Sequence, residues 1–253
     1  MNWPNLKMPE GIELDESTYT NSYGKFVVQP LERGFGITIG NALRRVLLSS
    51  LPGAAITSIR VENVLHEFST VKGVVEDIAE IILNLKQVRF KLINKRPEKV
   101  TLDLKGPMEF KSGDIARGTN DFEILNPDLH IATLNDKADF RMELKISRGK
   151  GYVPAEENKL ADQPIGTIPI DAIFSPVKNV SFQVEATRVG QKVDFEKLIM
   201  EIQTDGSVTP DDALTYAGKI LKDHILLSSI LISNQNRKNV LKLTKKRCVS
   251  ENY

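Results

Sequence analysis

Three glycines, Gly34, Gly36 and Gly40, followed by the adjacent arginines Arg44 and Arg45, form the part of this chain that most resembles a site for chemistry. A G-x-G-x-x-x-G turn lets backbone approach a pyrophosphate, whose charge the N–H groups at a helix N-terminus would hold. The same residues can equally aim a helix at another protein, with arginine as the anchor. The neighbouring elements favour the second use. The preceding strand, "GKFVVQPL", alternates and carries Pro30, whereas a central parallel strand reads as a continuous apolar run. Glu32 and Arg33 intervene before the first glycine. Glu62 on the next strand imitates a ribose-binding acid, but no strand–helix alternation continues a doubly wound sheet. An NADP-type oxidoreductase built on Gly34, Gly36 and Gly40 is the weaker alternative.

Other constellations are poorer still. Cys248 and the histidines His66, His130 and His224 are isolated from one another in sequence, and "HEFST" lacks the second histidine of a zinc-protease helix. His224 falls in the apolar stripe of its helix, where a packed, hydrogen-bonded histidine is expected. "EDIAE" and "TPDD" read as a solvated helix face and a helix start. The sequence shows no catalytic residue, no metal site and no cofactor site.

Composition is that of an ordinary soluble globular protein. The 253 residues are 41% hydrophobic and 26% charged, and 34 basic side chains against 33 acidic ones leave a formal charge of +1. Such a balance gives no reason for tight nucleic-acid binding over the whole surface. The exception is "NRKNVLKLTKKRCVSENY", with six basic residues and the single acid Glu251. An independent DNA-binding regulator using that tail is a third reading. One cysteine excludes an intramolecular disulfide, the start lacks a signal-peptide layout, and "ILLSSILI" is too short to span a bilayer. The "NVS" triplet at Asn179 reads as chance, and the cytoplasm is the expected compartment.

The periodicity predicts a helix from about Thr38 to Leu51, ended by Pro52-Gly53, with Ile39, Ala42, Leu43, Val46, Leu47 and Ser50 on its apolar side. Opposite lie Asn41, Arg44, Arg45 and Leu48, a leucine flanked by arginines that suits a docking patch. A strand follows in "AITSIRVENV". A second helix takes Val74, Ile78, Ile81, Ile82 and Leu85, and alternating strands fill Val88 to about Val153. "SRGKGYVPAEENKLADQPIG" reads as a long polar loop. Strands resume at Val180 and Leu198. They lead to the best-signalled helix, with Thr209 as N-cap, Pro210 at its first position, and a stripe of Ala213, Ala217, Ile220, Leu221, Leu227 and Leu231. Two long amphipathic helices flanking a strand-rich block suggest a discontinuous domain interrupted by a second one. A pair of such helices commonly seeks another pair, which dimerisation would supply.

The run "PLERGFGITIGNALRRVLLSSLPGAAITSIRVENVLHEFSTVKGVVEDIAEIILNLKQVRFKL" closely resembles the N-terminal region of the bacterial DNA-directed RNA polymerase alpha subunit. "RGKGYVPA", "PIGTIPIDAIFSPVKNVSFQVEATRV" and "KLIMEIQTDGSVTPDDAL" follow in the family's order, so the resemblance covers about Asp15 to Leu231. It implies an α+β fold. A dimerisation domain of residues 1–51 and 179–233, an antiparallel sheet with two long helices, would enclose a strand-rich insert domain of residues 52–178. It implies a homodimeric scaffold that recruits the beta subunit and then beta-prime, with omega and sigma met only in the holoenzyme and DNA only through the complex. The magnesium-binding aspartates would belong to beta-prime. Carried over by motif, Arg33, Arg44, Arg45, Leu48, His66, Glu67, Phe68, Ser69 and Thr70 would face beta. Lys86, Phe174, Ser175 and Lys178 would face beta-prime. The dimer seam would take Ile39, Leu43, Val46, Leu47, Ile220, Leu221, His224 and Leu227. Family members usually continue into a C-terminal DNA-binding domain; here that domain is expected to be absent, with 234–253 a basic, disordered tail.

Overall fold

The computed structural model describes residues 7–93, 99–117, 120–159, 162–189 and 192–229. In chain order the elements are β1 (Ile12–Leu14), β2 (Tyr23–Glu32), α1 (Phe35–Ser49), β3 (Pro52–Val61), α2 (Ile78–Leu85), β4 (Phe90–Leu92), β5 (Lys99–Lys105) and β6 (Met108–Lys111). A 3-10 turn (Ser112–Ala116), β7 (Phe122–Ile124), β8 (His130–Leu134), β9 (Asp139–Lys150), β10 (Tyr152–Val153) and α3 (Ala155–Asn158) follow. The chain then forms β11 (Thr167–Pro169), β12 (Ala172–Ile173), β13 (Val177–Val189), β14 (Lys192–Thr204) and α4 (Pro210–Ser229). The fold is α+β, and every named strand pairing is antiparallel.

Two sheets build two cores. The first sheet has the order β1-β2-β14-β13 and carries α1 and α4; its core draws Phe26, Leu31, Leu47 and Leu51 from the early chain and Val180, Leu198, Ile202, Ala213 and Ala217 from the late chain. The second sheet, β11-β3-β9-β5, packs with α2 and two short ribbons around Ile59, Ile78, Ile81, Phe110, Met142 and Leu144. A small cluster of Ala55, Ala172 and Phe174 sits apart from both. Asp77 caps α2 by accepting the Glu80 N–H at 2.7 Å, and Glu80 returns the bond to the Asp77 N–H. That capping box satisfies two otherwise unpaired amides.

Several local expectations shift. Pro30 lies in an internal strand, because β1 pairs only with Phe26–Val28 and the β14 register shifts between Glu196 and Leu198, leaving no ladder partner for Pro30. Pro52 and Gly53 do not merely end α1; they already pair with Lys150 and Gly149 in β3. β11 reaches only Ser58–Arg60, so Pro52 stands where that edge of β3 is open. The long polar loop is shorter than its composition suggests, since β9 continues to Lys150 and β10 and α3 use part of the remainder. "EDIAE" is only partly a solvated face: Glu80 is exposed, but it forms the cap with Asp77, and the Glu76 side chain is only 16% exposed.

Helix α1 rests on the sheet through glycines. A Cβ on Gly40 would lie 2.7 Å from Phe182 and 2.9 Å from Leu198; one on Gly36 would meet Val184 at 2.9 Å. Gly40→Ala should therefore cost more in forced repacking than it gains in helix propensity, a net loss of about 1–2 kcal/mol. Urea unfolding of the two proteins measures it.

Candidate subunit interface

The glycine turn has an occupant. Gly34 adopts a left-handed conformation, φ 89°, and α1 starts at the next residue with no side-chain cap of its own. Glu196 of β14 supplies one: its carboxylate accepts the Gly34 N–H at 2.8 Å and the Gly36 N–H at 2.9 Å. The donors that a pyrophosphate would need are engaged by the protein's own anion, which satisfies the helix head. The adjoining concavity is lined by Glu185, Asp194 and Glu196 against Arg33, the wrong sign for a dinucleotide. The oxidoreductase alternative has no support.

With Gly36, Gly40 and Leu47 buried, the rotation of α1 is fixed. At about 100° per residue, Arg45 points away from the sheet while Arg44 and Leu48 fall on one flank. Arg45 is exposed, as is Arg33 in the turn. Arg44 is exposed as well, but on the flank, where its Nε donates to the Val180 carbonyl of β13 at 3.2 Å and ties the helix to the sheet. Leu48 is half-buried against the core, so the outer patch centres on Arg45 more than on a leucine between two arginines. In "HEFST", His66 Nδ1 and Ser69 Oγ lie 3.1 Å apart, Glu67 and Thr70 are exposed, and Phe68 is 82% exposed, a large ring presented to solvent.

The second group of residues is more braced than its sequence suggested. Lys86 Nζ lies 2.9 Å from Asp171 Oδ2. Phe174 is 4% exposed and fills the small cluster beside Gly149, whose Cβ would stand 2.6 Å from the ring. Its ring packs within the chain, in the cluster with Ala55 and Ala172. Ser175 Oγ donates to the Val177 carbonyl at 3.2 Å, and Lys178 is exposed.

The seam residues divide in two. Leu47 is fully buried within the protomer, so it belongs to this chain's own core. Ile39, Leu43, Val46, Ile220 and Leu221 are half-buried around that core. His224 is exposed rather than packed, with Nδ1 2.7 Å from the Ile220 carbonyl, and Leu227 is 70% exposed. Helix α4 thus begins with Ala213, Leu214 and Ala217 buried on the sheet and continues into a turn where Ile225, Leu226 and Leu227 are exposed. Leu231, residues 230–233, Cys248 and the basic tail lie outside the described residues. Among the described residues no helix is long and apolar enough to cross a membrane, and no group of three His, Cys, Asp or Glu is placed to hold a metal.

A profile described as the RNA polymerase Rpb3/RpoA insert domain matches residues 58–175. The DNA-directed RNA polymerase subunit alpha of Chloroherpeton thalassium is 57% identical over 230 residues, spanning 91% of this chain and 70% of the relative. Its counterpart in Chlorobium chlorochromatii is 58% identical over 222 residues, spanning 88% and 68%. The chain belongs to the bacterial RNA polymerase alpha-subunit family. The alpha subunit of Chlorobaculum tepidum is similar to the same degree, 58% over 220 residues, with 87% of this chain and 67% of that protein covered.

What sequence reasoning missed in this alpha-family chain are carboxylates that act at a distance. Glu196 is 160 residues from Gly36, and Asp171 is 85 from Lys86. No local spacing signals either. Glu76 is a third: it accepts the Thr133 N–H at 2.7 Å and lies 2.9 Å from His130 Nε2, while His130 Nδ1 lies 3.1 Å from Glu109. The bond to Glu76, helped by Glu109, raises the His130 pKa above its ordinary 6.5. Burial alone would raise the Glu76 carboxyl, but the Thr133 N–H and the His130 ring outweigh it and hold the group below its ordinary 4.5. A histidine pKa raised by folding contributes stability that is complete below the unfolded value and lost as pH climbs through the folded one. The melting temperature of the unmodified chain should therefore fall relative to His130→Gln as pH rises from about 6 to about 8. Paired thermal melts across that range would show a constant difference if the brace were inert.

Proposed function

We propose that this chain is the homodimeric assembly subunit of a cytoplasmic bacterial RNA polymerase. Membership of the alpha family makes it a component of a DNA-directed nucleotidyltransferase; its own part is to dimerise and to present surfaces to the large subunits. Residues 1–51 and 179–233 form the dimerisation domain, and 52–178 the insert. The observation that carries the reading is α4, whose apolar side chains Ala213, Leu214 and Ala217 are buried on the sheet in its first half while Leu227 is 70% exposed in its second. A second copy, offering the same helix across a two-fold axis, is the occupant that would cover it. The beta subunit is met by Arg33, Arg45 and the His66–Thr70 segment, and beta-prime by the face around Lys86 and Lys178. Catalytic carboxylates come from the large subunits.

A charge at Leu47 would disrupt the protomer's own core, whereas one at Leu227 addresses the seam alone. Leu227→Asp should leave the secondary structure intact and weaken the dimer by about 3 kcal/mol or more, a hundredfold in dissociation constant. Sedimentation equilibrium with circular dichroism measures both, and an undiminished dimer would remove α4 from the seam.

Arg45→Ala should keep the dimer and lower affinity for purified beta by about 2 kcal/mol, roughly thirtyfold. A solvated arginine would change binding by less than about 0.5 kcal/mol, which titration calorimetry resolves.

A further inference from the structure

The polar segment after β9 joins neither main core, yet it is held in place. Asp171, in the turn between β11 and β12, accepts a bond from Lys86 Nζ at 2.9 Å through Oδ2 and one from the Ala155 N–H at 2.9 Å through Oδ1. Three segments remote in sequence thus meet on one carboxylate: the end of α2, the start of α3 and the turn itself. Asn158 of α3 donates to the Ile170 carbonyl at 2.8 Å, and Gln163 reaches back to the Asn158 carbonyl at 3.3 Å. Beside this knot the β10–β12 ribbon sets Tyr152 opposite Ile173, both exposed. Lys86 is consequently not a free cation waiting for a partner. Its ammonium is engaged within the chain, and its position is set by Asp171.

We infer that Asp171 is the positioning residue of the beta-prime-facing surface, setting Lys86, α3 and the 172–178 segment in one arrangement before that subunit arrives. The inference rests on the proposal that this face, including Lys178, meets beta-prime. Charge-assisted bonds of this kind are directional, so an amide in place of the carboxylate keeps the shape but removes the charge and leaves one oxygen to accept where two did.

The test uses the full chain assembled with beta, and reads the affinity of that subassembly for purified beta-prime. Asp171→Asn and Lys86→Met should each weaken it roughly tenfold. The double variant should be no worse than the weaker single, since both remove one link, and Lys86→Arg should restore most of the binding. Binding of beta should stay unchanged throughout. Lys178→Glu serves as the check on the face itself. If Lys178→Glu weakens beta-prime binding while Asp171→Asn and Lys86→Met do not, the positioning role is overturned and the face survives. If none of the three has an effect, the face and the inference both fall. Losses that add in the double variant, or that reach beta binding equally, would reduce Asp171 to general stability and overturn the inference.

Discussion

Helix α1 lies against its sheet with no side chain between its backbone and Phe182, Val184 and Leu198, because Gly36 and Gly40 stand at the points of closest approach. That contact is the constraint on which the rest depends. Once the two glycines and Leu47 face inward, the helix has one allowed rotation, and Arg45 must point outward. Glu196 then fixes the helix along its axis by closing its unpaired N-terminal amides. Arg44 fixes it sideways on β13. A helix clamped at three points is a suitable platform for recognition, since a partner need not pay the entropy of ordering it.

The same economy runs through the insert. Long-range carboxylates tie together elements that are far apart in the sequence. Asp171 gathers the segment before β11, and Glu76 links the approach of α2 to β8. Tyr19 reaches Asp211 at 2.6 Å and secures the head of α4 in the same way. Each bond contributes modestly at a solvated surface. Their effect is to set where rigid pieces sit relative to one another, and a subunit whose role is to present surfaces depends on that placement.

Much of this was legible in the sequence, for physical reasons that can be named. The α1 and α4 amphipathic patterns, the alternation of β13 and the Pro210 helix start are local, and local signals survive tertiary packing. The long motifs running through "LERGFGITIGNALRRVLLSS" identified the family where bare spacing offered a phosphate site. What escaped were properties set by distant chain. Phe174 looks like a loop residue until Gly149 opens a slot for its ring. Lys86 looks free until Asp171 arrives from 85 residues away. Periodicity gives α1 an apolar side of Ile39, Ala42, Leu43, Val46, Leu47 and Ser50, whereas its buried centre is Leu47 with Gly36 and Gly40, two glycines that no hydrophobicity count rewards.

The central claim is that this chain acts as a pair, with the exposed Leu227 of α4 covered by a second copy and the outer face of α1 left open for the beta subunit. Native mass spectrometry of the chain mixed with purified beta tests it most directly. The account predicts a dimer for the chain alone and a complex holding two copies of this chain with one of beta. A complex of one copy with one beta, formed while the free chain stays monomeric, would contradict it.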